Sequence, residues 1–232
     1  MDYPIEQRRI AGVPALVIGE KTDSVYLFVH GKMGCKEEAL AFAQAACPAG
    51  HQVAGIDLPE HGSRKAGPEQ LLPWTAAPEI LQVYQALQTQ WQHISLRATS
   101  IGAWLAMLAL QQQPVGRALF VSPVVDMEAL IRRMMGWAGV TEEQLRSKGE
   151  ISTPFGETLS WQYLCWVREH PPVWSAPTRI LYAANDELIP RCEVDAFAAR
   201  TGSALTVLEH SEHWLHTGPQ LQRLHEWEQQ NL

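Results

Sequence analysis

Short apolar runs alternate with amphipathic stretches along most of this chain. Residues 10–18 and 24–29 read as two strands, parted by the turn-like Gly19-Glu20-Lys21-Thr22-Asp23. The second, Val25-Tyr26-Leu27-Phe28-Val29, is apolar throughout, the pattern of a strand covered on both faces. A helical segment over about 36–46 is ended by Pro48 and Gly50, and residues 52–57 form another short strand. Residues 76–91 set Ile80, Val83, Tyr84 and Leu87 at helical spacing. The β-like His93-Ile94-Ser95-Leu96 precedes a strong helix former, Trp104-Leu105-Ala106-Met107-Leu108-Ala109-Leu110. Strands follow at 117–122, 179–184 and 204–208, and helices at 191–200 and 219–230. Strands alternating with helices predict an α/β fold, with a mostly parallel central sheet and helices on both faces.

One stretch breaks this rhythm. Residues 124–174 are long, rich in Met and Trp (Met127, Met134, Met135, Trp137, Trp161, Trp166, Trp174), and end after Pro171-Pro172. They read as a small, mostly helical cap, residues 126–174, inserted in a core made of 1–125 and 175–232. No internal repeat or low-complexity linker separates the two, so the insert is expected to pack on the same domain.

Size and charge narrow the picture. A chain of 232 residues suits one domain, or one domain with an inserted cap, and can bury roughly 70–75% of its unfolded surface. A net charge of −7 with no Lys/Arg cluster argues against a nucleic-acid partner. No apolar run approaches the ~18 residues of a membrane span, and Met1-Asp2-Tyr3-Pro4-Ile5-Glu6 lacks the basic and apolar regions of a signal peptide. Cys35, Cys47, Cys165 and Cys192 are scattered, without C-x-x-C spacing, as expected of free thiols in a reducing cytoplasm. Neither metal-ligand spacing nor a phosphate-binding glycine loop appears, so no metal or cofactor is expected. The oligomeric state stays open.

The chemistry centres on Arg97-Ala98-Thr99-Ser100-Ile101-Gly102-Ala103. It places a serine at a sharp strand-to-helix turn, with small residues two before it and two after it. Such a turn needs small flanks because the backbone doubles back on itself. It also aims a helix N-terminus, and the Ile101 amide, at charge developing beside the serine. The pattern resembles the nucleophile elbow of the α/β-hydrolase family, G-x-S-x-G, with Ala98 in place of the first glycine. A serine helix cap is the plainer alternative.

Three further segments resemble that family in the right order. His30-Gly31-Lys32-Met33-Gly34 looks like its H-G-x-x-G loop, which implies an oxyanion-binding amide at Lys32, with Met33 as the neighbouring candidate. The Lys32 ammonium would point to water or attract an anionic substrate group. Leu181-Tyr182-Ala183-Ala184-Asn185-Asp186 resembles the acid loop, which makes Asp186 the catalytic acid, with Glu187 and Asp126 as alternatives. Glu209-His210-Ser211-Glu212-His213-Trp214-Leu215-His216 follows the last strand, as the family's catalytic histidine does. His213 fits best, ahead of His216 and His210. Asp57-Leu58-Pro59-Glu60-His61-Gly62-Ser63 also resembles a family segment, with Glu60 where glycine is common, and reads as structural.

The resemblance spans about residues 24–232. It implies that Ser100 attacks an acyl carbon, that His213 takes its proton and that Asp186 orients His213. The implied substrate is a small-molecule carboxylic ester or thioester of small or medium size. A ligand-binding or sensor protein on the same fold, with little or no turnover, is the alternative, as is an unrelated parallel α/β domain with these three residues far apart.

Overall fold

The computed structural model describes residues 3–232. The chain opens with a hairpin, β1 (Ile5–Ile10) and β2 (Val13–Ile18), turning through Ala11 and Gly12. Both turn residues have positive φ, 49° and 84°, the twist that two-residue hairpins require. Next come β3 (Ser24–Val29), α1 (Ala39–Ala46), β4 (Gln52–Ile56), α2 (Pro73–Gln88), β5 (His93–Thr99), α3 (Ile101–Leu110) and β6 (Ala118–Val121). The long connection that follows carries α4 (Met127–Trp137), α5 (Glu142–Lys148), β7 (Glu150–Ser152), β8 (Thr158–Ser160) and α6 (Trp161–Glu169). The chain closes with β9 (Thr178–Ala183), α7 (Arg191–Thr201), β10 (Ala204–Leu208) and α8 (Gly218–Asn231).

Eight strands form one sheet in the order β1-β2-β4-β3-β5-β6-β9-β10. The β1–β2 and β2–β4 pairs are antiparallel and the rest parallel. Successive residues of β3 show why its run is apolar throughout. Val25, Leu27 and Val29 enter a core shared with α2, α3 and α7, whereas Tyr26 and Phe28 enter a second core under α1 and α8. A strand alternates its side chains between two faces, and here both faces are covered.

Two features add to the sequence expectation. The expected strand 10–18 is split by the Ala11–Gly12 turn, and β1 is an additional strand at the sheet edge. The connection after β6 is not wholly helical, because β7 and β8 form a separate antiparallel pair. Its apolar side chains Met127, Ile131, Leu145, Leu159 and Leu164 lie in the same core as Trp104 and Met107 of α3. No helix among the described residues is long and apolar enough to cross a membrane.

Candidate active site

The parallel strands β3, β5, β9 and β10 all end at one edge, so the loops that follow them converge there. Ser100 sits between β5 and α3 with φ 50° and ψ −124°, a backbone position strained for any residue but glycine. The strain is held by the neighbouring strand. The Ser100 amide donates to the Val121 carbonyl at 3.0 Å, and the Ser100 carbonyl accepts from the Val124 amide at 3.1 Å.

Gly102 explains the small residue after the serine. A Cβ there would overlap the His30 carbonyl oxygen and lie 3.0 Å from the Val29 carbonyl oxygen. The first turn of α3 therefore presses directly on the end of β3. Gly31 completes the contact from the other side, where a Cβ would lie 3.3 Å from the Ser100 Cβ. The H-G loop and the serine turn are thus packed backbone to backbone. The amides of Ile101 and Lys32 donate to no acceptor among the described residues. Met33, the neighbouring candidate, has φ 65° and is 86% exposed.

The structure brings together three of the sequence-predicted side chains. Ser100 Oγ lies 2.8 Å from His213 Nε2, and His213 Nδ1 lies 2.7 Å from Asp186 Oδ2. The Asp186 side chain is fully buried. Its other oxygen, Oδ1, accepts the Leu188 and Ile189 amides, each at 2.9 Å. Both Asp186 oxygens accept, so His213 Nδ1 is the donor, which leaves Nε2 a lone pair for the serine hydroxyl. The Asn185 amide donates to the Ser211 carbonyl at 2.8 Å and ties the acid loop to the histidine loop.

The other candidates lie outside this chain of hydrogen bonds. Glu187 is exposed. Asp126 is exposed and caps α4 by accepting the Ala129 amide. His210 is exposed, with φ 57°. His216 stacks on the Trp214 ring at 4.8 Å and bonds the Trp214 carbonyl through Nδ1. The Lys32 ammonium is half exposed and pairs with Glu157 at the β7–β8 turn.

His30 is wholly buried, and its ring holds two loops at once. Nε2 accepts the Leu58 amide at 3.0 Å and Nδ1 donates to the Gly31 carbonyl at 2.7 Å, which defines a neutral ring. Burial is the main cause that lowers its pKa to about 4. The neighbouring loop is organised by Asp57, which is also fully buried. It accepts the Lys36 amide and ammonium and the Ser63 amide and hydroxyl, all at 2.8–2.9 Å. Burial acts to raise the Asp57 carboxyl, and these four bonds outweigh it and hold the group below its ordinary value. Glu60 occupies the usual glycine position at φ 63°, and its carboxylate accepts the Leu71 amide.

Two residues that reach this edge carry no sequence signal. Glu157 is one. Arg133 of α4 is the other: its Nε donates to the Leu188 carbonyl at 3.1 Å, and its guanidinium forks onto Glu193. Among the described residues, no group of three or more His, Cys, Asp or Glu side chains is placed to hold a metal ion.

No protein-family model and no curated protein matches the chain. Solved structures do. One is Est1E from Butyrivibrio proteoclasticus with ferulic acid bound, at 18% identity over 97% of this chain and 96% of that one, with a TM-score of 0.74. Alpha/beta hydrolase domain-containing protein 10 from mouse is 15% identical over 98% and 96%, with a TM-score of 0.75. A thioesterase domain from the curacin biosynthetic pathway is 14% identical over 98% and 99%, with a TM-score of 0.59. Likeness of this kind speaks to architecture and leaves activity to the chemistry of the site. The chain has the α/β-hydrolase fold.

Proposed function

We propose that the protein is a serine hydrolase that cleaves a small or medium carboxylic ester or thioester through an acyl-enzyme. The observation that carries this reading is the continuous hydrogen-bond path from Ser100 Oγ through His213 to the buried Asp186 carboxylate. His213 Nε2 takes the Ser100 proton as Oγ attacks the acyl carbon. The imidazolium so formed is stabilised by Asp186 and then gives its proton to the leaving alcohol or thiol. The tetrahedral oxyanion is met by the Ile101 and Lys32 amides, with Met33 as the adjacent candidate. Water, activated by the same His213, then releases the acid. Residues 126–174 act as the cap over this edge, a role supported by the Glu157 and Arg133 contacts to its loops. The Est1E and thioesterase likenesses agree with ester and thioester chemistry.

The test is covalent labelling with a fluorophosphonate probe, followed by mapping of the modified peptide. Ser100 is the expected site, and Ser100→Ala abolishes the label. Asp186→Asn keeps the geometry but upsets the tautomer, and lowers kcat on p-nitrophenyl esters by about 10³- to 10⁴-fold. A folded protein that takes up no label, or labels equally as Ser100→Ala, would overturn the proposal.

A further inference from the structure

We infer that Arg133 is a positioning residue for the catalytic acid, through which the segment between β6 and β9 is coupled to the reaction. This rests on the serine hydrolase reading. The argument turns on one peptide group. The Leu188 carbonyl and the Ile189 amide are the two ends of the same planar unit. Arg133 Nε donates to the carbonyl at 3.1 Å, and the amide donates to Asp186 Oδ1 at 2.9 Å. A charged donor on the carbonyl fixes the tilt of that plane and polarises its N–H toward the carboxylate. The path then runs on through Asp186 Oδ2 to His213 and Ser100.

The surroundings show that the peptide is a held object. The next carbonyl, that of Ile189, accepts the Tyr182 hydroxyl at 2.8 Å. Arg133 is itself held, its Nη2 lying 3.1 Å from Glu193 Oε2 on α7, and both side chains are about one-fifth exposed. Ile189 is buried in the core whereas Leu188 is 38% exposed, so packing holds the amide end of the peptide and Arg133 holds its carbonyl end. Asp186 follows β9, whereas its orientation is completed by a side chain from α4 that reaches Leu188 from 55 residues earlier in the chain.

The experiment compares Arg133→Met and Arg133→Lys with the wild type, using the second-order rate of fluorophosphonate labelling and the kinetics of p-nitrophenyl butyrate hydrolysis. Arg133→Met is expected to slow labelling and kcat alike, by about tenfold, with KM held within about twofold. Arg133→Lys, which keeps a donor on the same stem, recovers part of the loss. In the Asp186→Asn background, Arg133→Met has no further effect, because the group it acts through is already disabled. Glu193→Gln, which leaves the Leu188 contact in place, loses less than Arg133→Met. A merely structural Arg133 would give equal losses in both backgrounds and the same loss for Glu193→Gln, and that result overturns the inference. So does wild-type labelling by a folded Arg133→Met protein. A wild type that does not label at Ser100 instead removes the serine hydrolase reading, and this inference with it.

Discussion

At the ends of β3 and β5 the candidate site is made of backbone, and between β6 and β9 it is made of side chains. The Ser100 turn and the His30-Gly31 loop meet with no atoms to spare: Gly102 lies on the His30 and Val29 carbonyls, and Gly31 lies on Ser100. The segment after β6 reaches the same edge through long charged groups, Arg133 on the acid loop and Glu157 on Lys32. Backbone contacts of the first kind admit one residue type at a position. A contact such as the Lys32–Glu157 ion pair admits more, because its partners are flexible and partly solvated. The placing of Ser100 is therefore a steric property of the core, whereas the contacts of the segment are electrostatic and adjustable.

Two glycines on helices put that difference to its strongest test. Ala is a better helix former than Gly by about 1 kcal/mol, so propensity alone predicts a gain at either site. At Gly102 the added Cβ meets backbone oxygens that cannot rotate away. Gly102→Ala is expected to destabilise by about 3 kcal/mol or more and to abolish labelling of Ser100. At Gly136 of α4 nothing lies within 4 Å of the added atom. Gly136→Ala is expected to stabilise by about 1 kcal/mol and to leave labelling unchanged. Urea unfolding of both variants decides the matter; a gain at Gly102 would show that the corner is not close-packed.

The buried corner also predicts a pH dependence. His30 has a pKa of about 4 in the fold against an ordinary value near 6.5, with burial as the main cause and the neighbouring His61 acting the same way. Asp57 and Glu37 oppose the shift without cancelling it. Between these pH values the unfolded chain binds a proton that the folded chain refuses. Stability from this group is therefore complete above pH 6.5, falls as the pH drops, and is lost by about pH 4. The difference amounts to about 3 kcal/mol. In His30→Gln this contribution is gone, so the loss of stability between pH 7 and pH 4 should be smaller than in the wild type by about that amount. Equal losses in the two proteins, measured by urea titration, would mean that His30 takes up its proton without cost.

The same division accounts for what the amino-acid sequence revealed. Ser100 and Gly102 stand out because the sharp turn confines its flanks to small residues, whereas His30-Gly31 and Asp186 stand out because the segments that hold them, each just past an apolar strand, resemble those of the α/β-hydrolase family. The central strands are legible because burial on both faces demands unbroken apolar runs such as Val25–Val29. Strand β1 has no such mark. Glu6, Gln7, Arg8 and Arg9 are polar or charged, and as an edge strand it is covered on one side only. Strands β7 and β8 are three residues each, too short for any period to register. Arg133 and Glu157 read as ordinary surface charges, because nothing near them in the chain names partners 55 and 125 positions away.

The smallest effect expected is at the ion pair between Lys32 and Glu157, whose side chains are 49% and 36% exposed. Both partners are well solvated, so Lys32→Met and Glu157→Gln should each change stability by less than about 1 kcal/mol. The activity consequence separates the two parts of Lys32. Its amide belongs to the backbone corner and survives substitution; its ammonium belongs to the contact with the β7–β8 turn and does not. If the amide is the part that meets the oxyanion, Lys32→Met keeps the labelling rate of Ser100 within about twofold and raises KM at most modestly. A tenfold loss of kcat in that variant, with the fold intact, would move the role from the amide to the ammonium. It would also bring the segment between β6 and β9 into the chemistry directly, because Glu157 would then be the counter-ion of a catalytic group.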